Sequence, residues 1–115
     1  MLIRIAPEIP VASLRASLAY YTQKLGFEVA MQMPDGGYAV IERDGVSIHL
    51  FEDARRTHSP SALHIFTDEL DALHAELEAR GARISQPITR KPWGNRDFRV
   101  GDDSGNEIKF TEEAE

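Results

Sequence analysis

The chain has 115 residues, enough for one domain that buries roughly two thirds of its unfolded surface and folds without cross-links. It contains no cysteine, which excludes a disulfide framework, thiolate catalysis and Cys-ligated metals. A formal net charge of −6 disfavours a nucleic-acid backbone as partner and favours cationic ones, and Arg90-Lys91 with Arg96 are too few to form a local basic patch.

From the N-terminus, residues 2–9 are a short apolar segment without the basic start and long apolar run of a secretory signal, and no later run approaches the span of a bilayer. A soluble, cytoplasmic protein without membrane or nucleic-acid partners is the expectation. Leu14, Leu18, Tyr21 and Leu25 then fall at helical spacing, with Ser13 as N-cap and Gly26 as stop. Strand-like runs follow at 27–33, 38–43 and 46–52, separated by the turn signals Asp35-Gly36-Gly37 and Asp44-Gly45. Residues 53–61, rich in charge, Ser and Pro, read as a linker too short to separate independent domains.

The pattern then repeats. An apolar segment at 62–67 leads into a helix over 69–80 carrying Leu70, Leu73 and Leu77, with Asp68 as cap and Gly81 as stop. Strands are predicted at 82–88, 97–101 and 106–111, with Asp103-Ser104-Gly105 as the last turn. Caps and stops of the two helices share one offset along the chain, the mark of an internal duplication. The expected fold is α+β: two βαβββ modules (about 1–52 and 62–112) in a single 1–115 domain, forming an incomplete barrel around a groove.

Strand parity sorts the side chains into two faces. Ile3, Ile5, Val46, Ile48, Leu50, Leu63, Ile65, Ile108 and Phe110 are expected under the helices. The opposite face then carries Arg4, Ala6, Ser47, His49, Phe51, Ala62, His64, Phe66, Glu107 and Lys109. Two His and two Phe among these positions point to a lined pocket rather than a solvated sheet. His58 and His74 are read as solvated or rim residues. No nucleophile elbow, Gly-rich phosphate loop or H-E-x-x-H helix is present, and the Glu76/Glu78 and Glu112-Glu113 clusters fit solvated faces.

Two stretches carry a family resemblance. Ser17-Leu-Ala-Tyr-Tyr-Thr-Gln-Lys-Leu-Gly-Phe27 resembles the S-x-x-F-Y-x-x-x-L-G-F segment of the glyoxalase, or vicinal-oxygen-chelate, superfamily, and Lys91 to Phe110 resembles the C-terminal signature of its bleomycin-resistance branch, including P-W-G-x-R-x-F. The resemblance implies a homodimer whose second sheet faces line the ligand cavity. It also implies metal-ligand positions at Ala6, His49, Ala62 and Lys109, of which only His49 could ligate; Lys109 replaces the glutamate of Gly-Asn-x-Ile-Glu, and an ammonium cannot take a carboxylate's place on a divalent metal. Asp102-Asp103 replaces the family's Asp-Pro.

The reading is therefore a non-enzymatic, metal- and cofactor-independent binding protein that sequesters a bulky, partly planar small molecule, bleomycin-like antibiotics included. Trp93, His49, Phe51, His64, Phe66, Arg96 and Lys109 are its candidate ligand-binding residues, and no catalytic or metal residue is assigned. Trp93 suits either stacking on a ligand or plugging the barrel end. The cavity face holds Arg4, Lys109 and two His against Glu107, which leaves an anionic or neutral ligand open. Alternatives are a divergent metal-dependent glyoxalase or dioxygenase using His49 and His64 with Glu107 or Glu8, and a partner-binding module with no small ligand.

Overall fold

The computed structural model describes residues 1–113. Module one comprises β1 (Glu8–Val11), α1 (Leu14–Gln23), β2 (Glu28–Gln32), β3 (Tyr38–Arg43) and β4 (Val46–Glu52). Module two comprises β5 (Ala62–Thr67), α2 (Leu70–Arg80), β6 (Arg83–Arg90), β7 (Arg96–Gly101) and β8 (Glu107–Glu112). Each module forms a four-stranded mixed sheet, ordered β1-β4-β3-β2 and β5-β8-β7-β6, with its first strand parallel to its last. Among the described residues no strand pairing joins the two sheets, and the barrel they form is not closed.

Local sequence accounts for most boundaries. Ser13 caps α1 with an extended backbone (φ −134°, ψ 114°), its Oγ accepting from Ala16 N at 3.2 Å. Gly81 ends α2 in the left-handed region at φ 84°, where a Cβ would be strained. Asp44 (φ 52°) and Gly45 (φ 79°) are both left-handed, as a two-residue type I′ hairpin requires. The cap of α2 is Glu69 rather than Asp68, and no side chain of Glu69 bonds the helix; Thr67 Oγ1 instead accepts from Glu69 N.

The first strand departs from expectation. Residues 1–7 lie outside any strand, with only Pro7 O accepting a backbone hydrogen bond, from His49 N at 2.9 Å, and Leu2, Ile3 and Ile5 are 99%, 89% and 94% exposed. Pairing starts at Glu8, opposite His49, because only there does β1 run beside β4. This puts Ile9 and Val11 in the core in place of Ile3 and Ile5. Pro10, which has no N–H to donate, is tolerated because β1 is an edge strand.

Both helices pack on one side of the sheets, and one continuous core runs through the two modules, from Ile9, Tyr21, Leu25 and Ile48 to Leu77, Phe98, Val100 and Ile108. A polar clamp supplements it at the β7–β8 turn. Asp102 Oδ1 accepts from Ser104 N and Asn106 N, each at 2.8 Å, while Oδ2 accepts from Tyr21 OH at 2.8 Å and Asn106 Nδ2 at 2.9 Å. Asn106 Nδ2 also donates to Pro10 O, Ser104 Oγ accepts from Ala12 N, and Ser17 Oγ donates to Asp103. Burial first, then Asp102, pushes the Tyr21 phenol well above its ordinary pKa. On the far side, Arg43 grips Glu76 with both guanidinium nitrogens at 2.7 and 2.9 Å and caps Leu25 O.

Candidate functional site

Pinning the helices to one side leaves the other face of each sheet without a covering layer. On the first sheet that face carries Glu8, Tyr38, His49 and Phe51, which strand register sets side by side. Tyr38 OH donates to Glu8 Oε2 at 2.9 Å and lies 2.6 Å from His49 Nδ1. A carboxylate only accepts, so the phenol's single proton goes to Glu8 and the imidazole Nδ1–H must donate to the phenol oxygen. Desolvation, with the Glu8 bond second, raises the Tyr38 pKa. Phe51 meets His58 edge-on at 5.1 Å, and His58 reaches to 3.4 Å from Asp53.

On the second sheet the corresponding row is His64, Lys109 and Arg99, register partners on β5, β8 and β7. His64 stacks on Phe66 (6.1 Å, 20° between planes), and its Nδ1 lies 3.2 Å from Thr111 Oγ1. Phe66 is 57% exposed. Glu107 is 3.9 Å from Lys109 Nζ and 3.8 Å from Arg99 Nη1.

These registers correct the assignment of facing positions. Arg4 and Ala6 lie outside any strand; Glu8 stands beside His49, and His64, rather than Ala62, stands beside Lys109. The four positions are thus Glu8 and His49 on one sheet and His64 and Lys109 on the other. They do not fit a metal centre within the chain. Among the described residues no three metal-ligating side chains converge, and the fourth position offers an ammonium in place of a lone pair.

Trp93 and Arg96 sit apart from both rows, in and just after the loop joining β6 to β7. Trp93 is 77% exposed and so plugs nothing within the chain. Beside it runs an open cleft of about 890 Å³ lined by Trp93, Arg96 and the carboxylates of Asp68, Glu69, Asp71, Glu112 and Glu113. Arg96 bonds Asp71 at 3.0 Å and Glu112 at 2.9 Å, which raises its own pKa and lowers that of Asp71. A second cavity of about 570 Å³ lies between the first sheet and α2, and of the predicted residues only Phe66 borders it. His74, read as a rim residue, packs edge-on against buried Phe98 at 4.9 Å.

Sequence reasoning did not single out Tyr38 or Arg99. Alternation with buried Ala39 and Ile41, and with buried Phe98 and Val100, was the signal that places them on the open faces.

The family model for the Glyoxalase/Bleomycin resistance protein/Dioxygenase superfamily matches residues 3–110. A bleomycin resistance protein of Geobacillus stearothermophilus is 29% identical over 125 residues, covering 90% of this chain and 92% of its own. Among solved structures, the bleomycin resistance determinant encoded on transposon Tn5 superposes with a TM-score of 0.88 at 15% identity, covering 99% of this chain and all (100%) of the other. The bleomycin-binding protein of Streptomyces verticillus, complexed with copper(II)-bleomycin, superposes at 0.82 with 24% identity, covering 99% and 98%. With the family model spanning nearly its whole length and both βαβββ modules in place, the chain belongs to the glyoxalase/bleomycin resistance protein/dioxygenase superfamily.

Proposed function

We propose that this chain is a metal-independent binding protein of the bleomycin-resistance type, which sequesters a bulky, partly planar ligand in grooves formed between two copies. The observation that carries the reading is Trp93: an exposed indole beside a cleft with five carboxylates, whose one arginine is already ion-paired. An indole face flanked by negative charge suits a flat cationic molecule, for stacking and Coulomb attraction then act together. Relatives named for bleomycin resistance support the same ligand class. Two uncovered sheet faces and an unpaired apolar N-terminal segment are what a second copy would cover, and closed two-fold symmetry would bury both. Lys109 in place of a ligating carboxylate supports sequestration over metal-dependent catalysis.

The test is titration of bleomycin, metal-free and copper-loaded, followed by Trp93 fluorescence and calorimetry, with light scattering on the same sample. Expected are saturable binding, a mass twice the 12.9 kDa of the chain, and weaker association as salt shortens the Debye length from about 10 Å at 0.1 M to about 3 Å at 1 M. Trp93→Ala should weaken binding more than Trp93→Phe, since an aromatic pair contributes about 0.5–1.5 kcal/mol beyond area burial. A monomer mass at micromolar concentration, or dependence of binding on one equivalent of protein-bound metal lost in His49→Ala, would overturn the reading.

A further inference from the structure

The row His64, Lys109, Arg99 on the second sheet is not explained by folding. Arg99 and Lys109 are directly opposite one another on antiparallel strands, an arrangement in which like charges repel and destabilise the pair. Their acids do not neutralise them closely. Glu107, shared between the two, stays 3.8 and 3.9 Å away, and Asp97 Oδ2 is 3.8 Å from Arg99 Nε. All three separations exceed the 2.7–2.9 Å of a charge-assisted hydrogen bond. Asp97 is committed elsewhere, its Oδ1 accepting from Gln86 Nε2 at 2.8 Å with Lys91 Nζ at 3.2 Å. Arg99 Nε is buried and has no hydrogen-bond partner among the described residues, while the side chain as a whole keeps 30% of its surface exposed. Beside the two cations, on the same face, Phe66 is exposed and stacked on His64.

We propose that Arg99 and Lys109 form an oxyanion subsite for an aromatic ligand, the guanidinium and ammonium holding its carboxylate or phosphoryl group while Phe66 and His64 lie against its ring. The subsite lies on an open sheet face, and so rests on the reading of those faces as walls of the ligand groove. It adds to that reading a specificity the Trp93 cleft does not have: the cleft selects positive charge, this row negative charge, and a ligand spanning both would be zwitterionic.

The experiment uses the full chain with 2-naphthoate and its uncharged isostere 2-naphthamide as probes, read by calorimetry and by amide shifts on β7 and β8, with bleomycin titrated in parallel. Naphthoate should bind at least about tenfold more tightly than the amide. Arg99→Gln and Lys109→Gln should each remove that preference without weakening the amide, and salt should weaken naphthoate but not naphthamide. Arg99→Lys, which keeps the charge but loses the fork, should retain part of the preference, and it also covers the case in which Arg99→Gln does not fold. Equal binding of the two probes, or a preference that survives in Lys109→Gln of native circular dichroism and mass, would overturn the subsite. Bleomycin binding without naphthoate binding would overturn the subsite and leave the groove reading standing. Failure of both ligands would overturn the two together.

Discussion

Replacing Asp102 by Ala should cost more stability than any other single polar change in the protein. The carboxylate is 2% exposed and accepts four hydrogen bonds, two from backbone N–H groups of its own turn and two from Tyr21 OH and Asn106 Nδ2. A hydrogen bond to a charged group contributes about 1.5–3 kcal/mol net, but the four share one acceptor and are not additive. Removing the carboxylate also removes the cost of burying its charge, while leaving Tyr21 OH and the buried N–H groups of Ser104 and Asn106 without their acceptor; Asn106 Nδ2 keeps Pro10 O. The balance is a loss of about 3–5 kcal/mol, the range found when one partner of a buried charged network is deleted. A domain of this kind has about 5–15 kcal/mol in total, so the variant should lie near its unfolding threshold. Tyr21→Phe, which deletes one donor and leaves the carboxylate three, should cost about 1–2 kcal/mol. Urea unfolding at one fixed protein concentration measures both, since association would otherwise shift the midpoint. A loss below about 1 kcal/mol for Asp102→Ala would refute the assignment of the turn as the clamp between modules.

The Tyr21 phenol, its pKa raised by burial and by Asp102, contributes stability fully present below pH 10 and lost as pH rises from the unfolded value of 10.0 toward the folded one. Alkaline unfolding followed at the phenolate absorbance should begin above about pH 10, and Tyr21→Phe should weaken that dependence. Asp53 is held at a pKa of about 2, chiefly by His58 N–H, with Thr57 N and Oγ1 also donating to its carboxylate. Its contribution is present above the ordinary value of 3.8 and lost as pH falls through about 2, so its carbon-13 titration should be displaced to acid, and Asp53→Asn should free amide exchange at Thr57 and His58 without unfolding the sheets.

Much of the architecture was legible because its causes are local. Helical spacing, the Ser13 cap, Gly81 and the Asp44-Gly45 turn each specify their element from a few neighbouring residues. The first strand was not legible for the opposite reason. Leu2, Ile3 and Ile5 are as apolar as the residues of any strand, but a strand exists only where a partner runs beside it, and β4 meets the chain from Glu8 onward. That displacement moved the facing residue from Ala6 to Glu8 and hid the Glu8–Tyr38–His49 chain. His49, Phe51 and Lys109 alternate with buried Ile48, Leu50, Ile108 and Phe110, and His64 and Phe66 with half-buried Leu63 and Ile65, the pattern on which strand parity relies. Arg96 could not be sorted from sequence. Its ion pairs depend on Glu112, set beside it by the β7–β8 pairing, and on Asp71, brought within reach by the packing of α2.

Asp103, which stands where the resemblance places a proline, makes the trade between local and long-range stabilisation testable. A proline at a compatible site stabilises by about 0.4–1 kcal/mol, because it restricts the unfolded chain. Asp103 N–H donates to no other described residue, so a proline there removes no hydrogen bond between residues. Against that gain stands the carboxylate, which accepts from Ser17 Oγ at 2.9 and 3.0 Å and ties α1 to the clamp turn. Ser17 is fully buried, and its hydroxyl would be left without that partner at a cost of about 1–3 kcal/mol. Part of this is offset, because burial raises the Asp103 pKa and its charge is held at some expense beside Asp102. The long-range term should still win, making Asp103→Pro less stable by about 1 kcal/mol. In a Ser17→Ala background the orphaned hydroxyl no longer exists, and the same substitution should become neutral or stabilising. Urea unfolding of the four proteins completes the cycle, and a stabilising Asp103→Pro in the presence of Ser17 would show that the turn, and not the tether, governs this position.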